Sequence, residues 1–62
     1  MHLSHRVERY LRASGMAPTR FGREAIGDPR FVFDLRRGRE PRKIVTGRAL
    51  AFLQAREAEL GR

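Results

Sequence analysis

Residues 28–38, with the sequence DPRFVFDLRRG, decide the fold expected for this chain of 62 residues. Asp28 is a favourable N-cap residue, and Pro29 suits the first position of a helix, where its missing N–H costs nothing. Two arginines near the end of the stretch favour the negative end of a helix dipole, and Gly38 suits the left-handed residue that follows a helix. The stretch predicts a helix over about residues 29–37, which must pack against other helices because it is short.

Val32 and Leu35 lie three positions apart, so they share one face of this helix, and we expect that face to pack against the protein. Helical geometry then turns the remaining side chains outward; these are Arg30, Phe33, Asp34 and Arg37. A large aromatic residue on the solvent side of a short helix needs a partner. Phe33 therefore either contacts a ligand or tucks under Tyr10 or the C-terminal helix.

Two further helices precede this one, since apolar residues recur there at spacings of three and four. The first is expected over residues 4–14, with Ser4 as its N-cap and an ion pair between Glu8 and Arg12. The second is expected over about residues 18–26, starting at a proline and stopping at a glycine.

Gly22 lies inside the second helix, on the same face as Phe21 and Ala25. A glycine within a helix costs about 1 kcal/mol relative to alanine, so its presence calls for a packing reason. We expect the backbone of another helix to approach closely at this point.

The C-terminal helix is expected over about residues 42–60, followed by Gly61. One face of it is apolar and carries Val45, Ala49, Phe52 and Leu53. A second, shallow surface is formed by Leu50, Ala51, Ala55, Ala58 and Leu60. This second surface is either the seam of a homodimer or extra cover for a small core. Together, the segments predict one all-α, compact four-helix domain over residues 1–62.

Composition and charge exclude several classes of function. The chain carries 14 Lys and Arg residues, 13 of them Arg, against 7 Asp and Glu residues, and it has no Cys. Without Cys there is no disulfide, no thiolate nucleophile and no Cys-based zinc site. So short a chain does not build a deep catalytic cavity, and no nucleophile–base spacing is present. We therefore expect neither an enzyme nor a bound metal or cofactor.

The net charge of +7 predicts attraction to polyanions, with nucleic acid ahead of an anionic membrane surface. The longest apolar run, residues 49–53, is far shorter than the roughly 20 residues that cross a bilayer. The first residues also lack the apolar stretch of a signal peptide. We therefore expect a cytoplasmic protein, associated with the nucleoid when it is bound to DNA.

The middle of the chain carries a recognisable pattern: a large and a small apolar residue on one helix, two apolar positions on the next, and a Gly-basic-x-Pro exit. Its residues are Phe21, Gly22, Val32, Leu35, Gly38, Arg39 and Pro41. Over about residues 16–43 the chain thus resembles the helix-turn-helix of lambda repressor/Cro-like (xenobiotic-response-element-type) DNA-binding proteins. The turn glycine, Gly27, comes one place later than in that family, so we expect the left-handed turn to be shifted by one residue.

This resemblance implies a sequence-specific regulator of transcription, of bacterial or phage type, whose helix 29–37 enters the major groove of double-stranded DNA. The candidate base-reading residues are Arg30, Phe33, Asp34 and Arg37. The candidate phosphate-binding residues are Thr19, Arg20, Arg23, Arg39, Arg42 and Lys43. Asp34 repels phosphate, so we favour a role in which it orients an arginine, or a surface pair with Arg37, over direct contact with cytosine.

Two other functions remain open at this point. The arginine-rich surface suits a structured RNA or the ribosome, although the aromatic residues are mostly needed for the core. Alternatively, the chain is a small interaction protein that docks on a partner such as RNA polymerase or another enzyme, with Phe33 as its anchor. Binding that depends steeply on salt would favour a nucleic acid over a protein partner.

Overall fold

Four α-helices make up most of residues 2–60, the part of the chain that the structure, a computed structural model, describes. They are α1 (Leu3–Ser14), α2 (Pro18–Ala25), α3 (Phe31–Arg36) and α4 (Lys43–Leu60). No strand occurs within the described part, which confirms the all-α, four-helix prediction. Gly61, predicted to follow the last helix, lies outside the described residues, as do both ends of the predicted domain 1–62.

The glycines predicted to end helices do so. Gly27 and Gly38 have φ values of 82° and 87°, in the left-handed region that favours glycine. After α3, the N–H of Gly38 donates to the carbonyl of Leu35 at 3.0 Å and that of Arg39 to the carbonyl of Asp34 at 3.0 Å. This pair of bonds satisfies carbonyls that a helix end leaves without partners. The left-handed residue between α2 and α3 is Gly27, one place after Ile26, as predicted.

Two predicted helix starts need correction. Asp28 does accept a hydrogen bond at Oδ1 from the N–H of Arg30 (2.9 Å), but the N-cap position of α3 is Arg30 and no side chain caps the helix. Regular α-helix begins only at Phe31, because the first turn after Pro29 is tighter, with the N–H of Phe31 bonded to the carbonyl of Asp28. In α1, the N-cap position is His2 rather than Ser4, and no side chain caps the helix.

Phe21 forms the centre of the core. Its side chain is fully buried, and its ring contacts one aromatic ring from each of the other three helices. The distances between ring centres are 5.9 Å to Tyr10 of α1, 6.4 Å to Phe31 of α3 and 5.2 Å to Phe52 of α4. Aromatic contacts at these distances contribute about 0.5–1.5 kcal/mol each beyond the burial of apolar area. A single side chain thus joins all four helices.

Gly22 is buried beside Phe21 because the chain folds back onto it. A Cβ at this position would overlap the backbone carbonyl of Asp28 and press on the Cβ of Phe31. The N–H of Asp28 also donates to the carbonyl of Gly22 at 3.1 Å. The expected close approach is therefore confirmed, but it comes from the turn before α3 rather than from the backbone of another helix.

Each helix packs mainly on two others. The pairs are α1 with α3, α3 with α2, α2 with α4, and α4 with α1. The α2–α3 pair and the α1–α4 pair therefore lie on opposite sides of the molecule.

The apolar residues of α4 divide between three surfaces. Ala49 and Leu53 are buried, with Val45 and Phe52 half-buried against the core, as predicted. Leu50 and Leu60 border a groove against α1, whereas Ala51, Ala55 and Ala58 are exposed on another face, which also carries Ile44. The second surface expected on α4 is therefore divided between two faces, and a homodimer through either of them stays a prediction.

The contact at Gly22 makes a direct prediction. Gly22→Ala introduces a Cβ that only a shift of the turn before α3 can accommodate, so we expect it to lower the free energy of unfolding by about 1–3 kcal/mol. Gly47→Ala is the matched control, since a Cβ on Gly47 of α4 meets open space and alanine is the better helix former. Denaturant unfolding followed by circular dichroism measures both variants. Equal effects of the two substitutions would contradict the close approach.

Candidate nucleic-acid interface

The outer face of α3 is where the sequence places the base-reading residues. Val32 is buried and Leu35 half-buried against the core, as predicted. Arg30 and Arg37 are exposed on the opposite side of the helix, together with Phe33, which exposes 39% of its surface. The alternative in which Phe33 tucks under Tyr10 or the C-terminal helix is therefore wrong.

Phe33 is held in place by a charged neighbour that the sequence analysis did not select. The guanidinium of Arg36 lies 5.6 Å from the centre of the Phe33 ring, within the range of a cation–π contact. Arg36 is itself fixed by two hydrogen bonds to Glu8 of α1, from Nε to Oε2 (2.7 Å) and from Nη2 to Oε1 (3.0 Å). Glu8 thus contacts α3 instead of forming the predicted pair with Arg12. Through Arg36, α1 positions the exposed aromatic ring.

Asp34 lies at the edge of the exposed face and turns toward the connector that follows α3. Its Oδ2 forms an ion pair with Nη1 of Arg39 at 3.5 Å. This arrangement replaces the predicted pairing with Arg30 or Arg37. Asp34 therefore holds Arg39 beside α3. Its carboxylate does not occupy the N–H donors of Arg30 and Arg37.

The predicted phosphate-binding residues of α2 divide between two flanks of that helix. Residues on a helix are about 100° apart, so Thr19 and Arg23 form one exposed strip, on the flank of α2 next to Gly22 and the turn into α3. Arg20 instead pairs with Glu24, which also binds Nη2 of Arg56 in α4 at 3.1 Å. Arg20 therefore belongs to the α4 side, and its selection as a phosphate ligand beside α3 is not supported by its position.

The helix α2 ends at Ala25, one residue earlier than predicted. Arg23 lies in its last turn. The N-cap position is Ala17, which provides no side-chain hydrogen bond, and the first turn holds no acidic residue. Backbone N–H groups at the start of α2 thus lack side-chain partners, and they lie at the positive end of the helix dipole.

The connector and the start of α4 carry the remaining predicted cations. Arg42 and Lys43 are exposed, and the first turn of α4 holds no acidic side chain. Positive side chains at the positive end of a helix dipole are unfavourable in isolation, and an anion bound there offsets the repulsion. A group of three cations thus follows the C-terminal end of α3 in the chain: Arg39, Arg42 and Lys43.

The carboxylates are too few to pair with all the cations, since 7 Asp and Glu residues face 14 Lys and Arg residues. Within residues 2–60, five carboxylates pair with five arginines, and three of these pairings join different helices: Glu8 with Arg36, Glu24 with Arg56, and Glu57 with Arg6. Arg30 and Arg37 have no such partner in the same part of the chain, and neither do Arg23, Arg42 and Lys43. The unpaired positive charge of α2, α3 and the connector is thus available to an external anion.

No protein-family model matches the chain, and no curated protein or solved structure is significantly similar to it. Between residues 2 and 60, none of the helices combines the length and apolar character that crossing a bilayer requires.

Ion pairs of three glutamates make stability depend on pH. Hydrogen bonding to Arg36 lowers the pKa of Glu8 from its ordinary value of 4.5, Arg20 does the same for Glu24, and Arg6 for Glu57. A group whose pKa is lower in the folded state stabilises the fold above the unfolded pKa. That contribution is lost as the pH falls through the folded pKa.

We therefore expect the thermal midpoint to fall as the pH drops below about 4.5. Glu8→Gln removes one of the three lowered pKa values, so the variant loses less stability on acidification than the parent chain. Glu40→Gln is the control, because Glu40 is exposed and has no ion-pair partner within residues 2–60. Thermal unfolding at several pH values measures all three chains, and identical pH dependence of the two variants would refute the role of Glu8.

Proposed function

We propose that this protein is a sequence-specific double-stranded DNA-binding regulator of transcription, of bacterial or phage type. In this proposal α2, the turn and α3 act as a lambda repressor/Cro-like helix-turn-helix, and α3 enters the major groove. An α-helix fits that groove, and side chains on its outer face reach the edges of the bases.

One observation carries the proposal: α3 exposes Arg30, Phe33 and Arg37 on one face while its other face is buried. An arginine donates two hydrogen bonds to O6 and N7 of guanine, which is the commonest specific contact in the major groove. An aromatic ring makes apolar contact with the methyl group of thymine. The exposed face of α3 thus suits a site with guanine and thymine in adjacent positions.

Phosphate contacts would come from both sides of α3. Thr19, Arg23 and the free N–H groups at the start of α2 lie on one side, and Arg39, Arg42 and Lys43 lie on the other. Such contacts fix the orientation of a protein on the duplex without reading its sequence. With about five phosphates contacted, the logarithm of the affinity falls with the logarithm of salt concentration with a slope of about −4 to −5.

The experiment selects preferred duplexes from a random pool and measures the affinity of variants for the winner and for an unrelated duplex. Arg37→Ala should cost about 1–3 kcal/mol on the selected duplex and little on the other, because it removes a base contact. Lys43→Ala should weaken both duplexes alike and make the salt slope less negative by about one. Arg9→Ala is the charge-matched control, since Arg9 lies on the α1–α4 side, away from α3.

Several results would overturn the proposal. Loss of affinity in Arg9→Ala as large as that in Arg37→Ala would mean that net charge, not the α3 face, binds DNA. Stronger binding to structured RNA than to the selected duplex at the same salt concentration would identify an RNA-binding protein. If Arg37→Ala leaves the affinity for every duplex unchanged, α3 is not part of the interface.

A further inference from the structure

A second surface of the molecule is formed by α1 and α4, with no residue of α2 or α3. Between α1 and α4 runs an open groove of about 760 Å³. Its apolar lining comes from both helices: Leu3, Tyr10 and Ala13 of α1, and Leu50 and Leu60 of α4. Leu50 and Leu60 expose 37% and 47% of their surfaces, so much of the apolar lining is accessible to a partner.

The spacing of the two leucines sets the size of what the groove accepts. They are ten positions apart on α4, which corresponds to about 15 Å along a helix axis. A docked helix of about three turns covers that distance, with apolar residues at spacings of three and four on one face. Such a helix buries its apolar side against Leu50 and Leu60 and leaves its flanks to face α1.

The charge on the α1 rim is positive. Arg6 and Arg9 of α1 line the groove, and Arg9 is exposed. Within residues 2–60 Arg9 forms no ion pair with a carboxylate. Glu57, the single carboxylate of the lining, is held by Arg6 at 2.8 Å. An occupant with acidic residues along one flank is thus complementary to this rim.

We propose that the α1–α4 groove binds an acidic amphipathic helix of a protein partner, with leucine-type residues on Leu50 and Leu60 and a carboxylate paired with Arg9. A second copy of this chain fits less well, because it brings another net charge of +7 to an already positive rim. No residue of α2 or α3 lines the groove. This inference does not depend on DNA binding.

The probe is a synthetic helical peptide with leucines at spacings of three and four on one face and glutamates on the flanks. A second peptide has the same composition with the leucines spread around the helix, and a third has lysine in place of glutamate. Each is titrated into the full chain labelled for amide NMR. We expect the first peptide alone to bind, with the largest shifts in α1 and α4 around Leu3, Tyr10 and Leu50.

Variants of the protein test the residues assigned to the groove. Leu50→Gln should weaken the first peptide about tenfold, and Arg9→Glu about threefold to fivefold. The controls are Ile44→Gln, which removes an apolar side chain 76% exposed elsewhere on α4, and Arg37→Ala, which removes a cation from α3. Both controls should bind the peptide as the parent chain does, and circular dichroism verifies that every variant is folded.

Each contrary result overturns the inference. Equal binding of the lysine peptide or of the scrambled peptide would show that the groove lacks the proposed selectivity. Dimerisation that Leu50→Gln abolishes would make a second copy the occupant, and binding to anionic vesicles that Leu50→Gln abolishes would assign the groove to a membrane surface. Because Arg37→Ala and Arg9→Glu act on opposite sides of the molecule, failure of peptide binding and failure of DNA binding are distinguishable.

Discussion

The ring of Phe21 is the contact on which the rest of the structure depends, because it touches one aromatic ring from each of the other three helices. A chain of this size buries a small core, so a side chain shared by all four helices contributes a large part of the packing. The next residue, Gly22, lets the turn before α3 fold directly onto α2. With Phe21 inside and the turn closed, α3 is fixed with Val32 inward and Phe33 outward.

The distribution of charge is the second constraint. Arginines outnumber the available carboxylates, so some of them remain without partners wherever the helices lie. Ion pairs tie α1 to α3, α2 to α4 and α4 to α1. Among the described residues, the unpaired cations of α3 and the connector stay exposed, and in the proposed function they contact DNA. One of the pairs, Glu8 with Arg36, also supports the Phe33 ring.

Local features could be predicted from the sequence, because they depend on neighbours in the chain. Apolar periodicity indicated the number of helices and the inward face of α3, and Gly27 and Gly38 marked the turns. Partners distant in sequence could not be predicted in this way. Glu8 has a favourably spaced partner in Arg12, yet it binds Arg36, 28 positions away, because packing brings α1 against α3. Arg20 differs, because its partner Glu24 is only four positions away on the same helix, a spacing visible in the sequence.

The most direct test of the account is to map where a selected duplex contacts the labelled chain by amide NMR. We expect the largest changes in α3 around Phe33 and Arg37 and in the first turn of α2, with the α1–α4 groove unchanged. Changes centred on the groove, with α3 unaffected, would contradict the assignment of α3 as the helix that reads DNA.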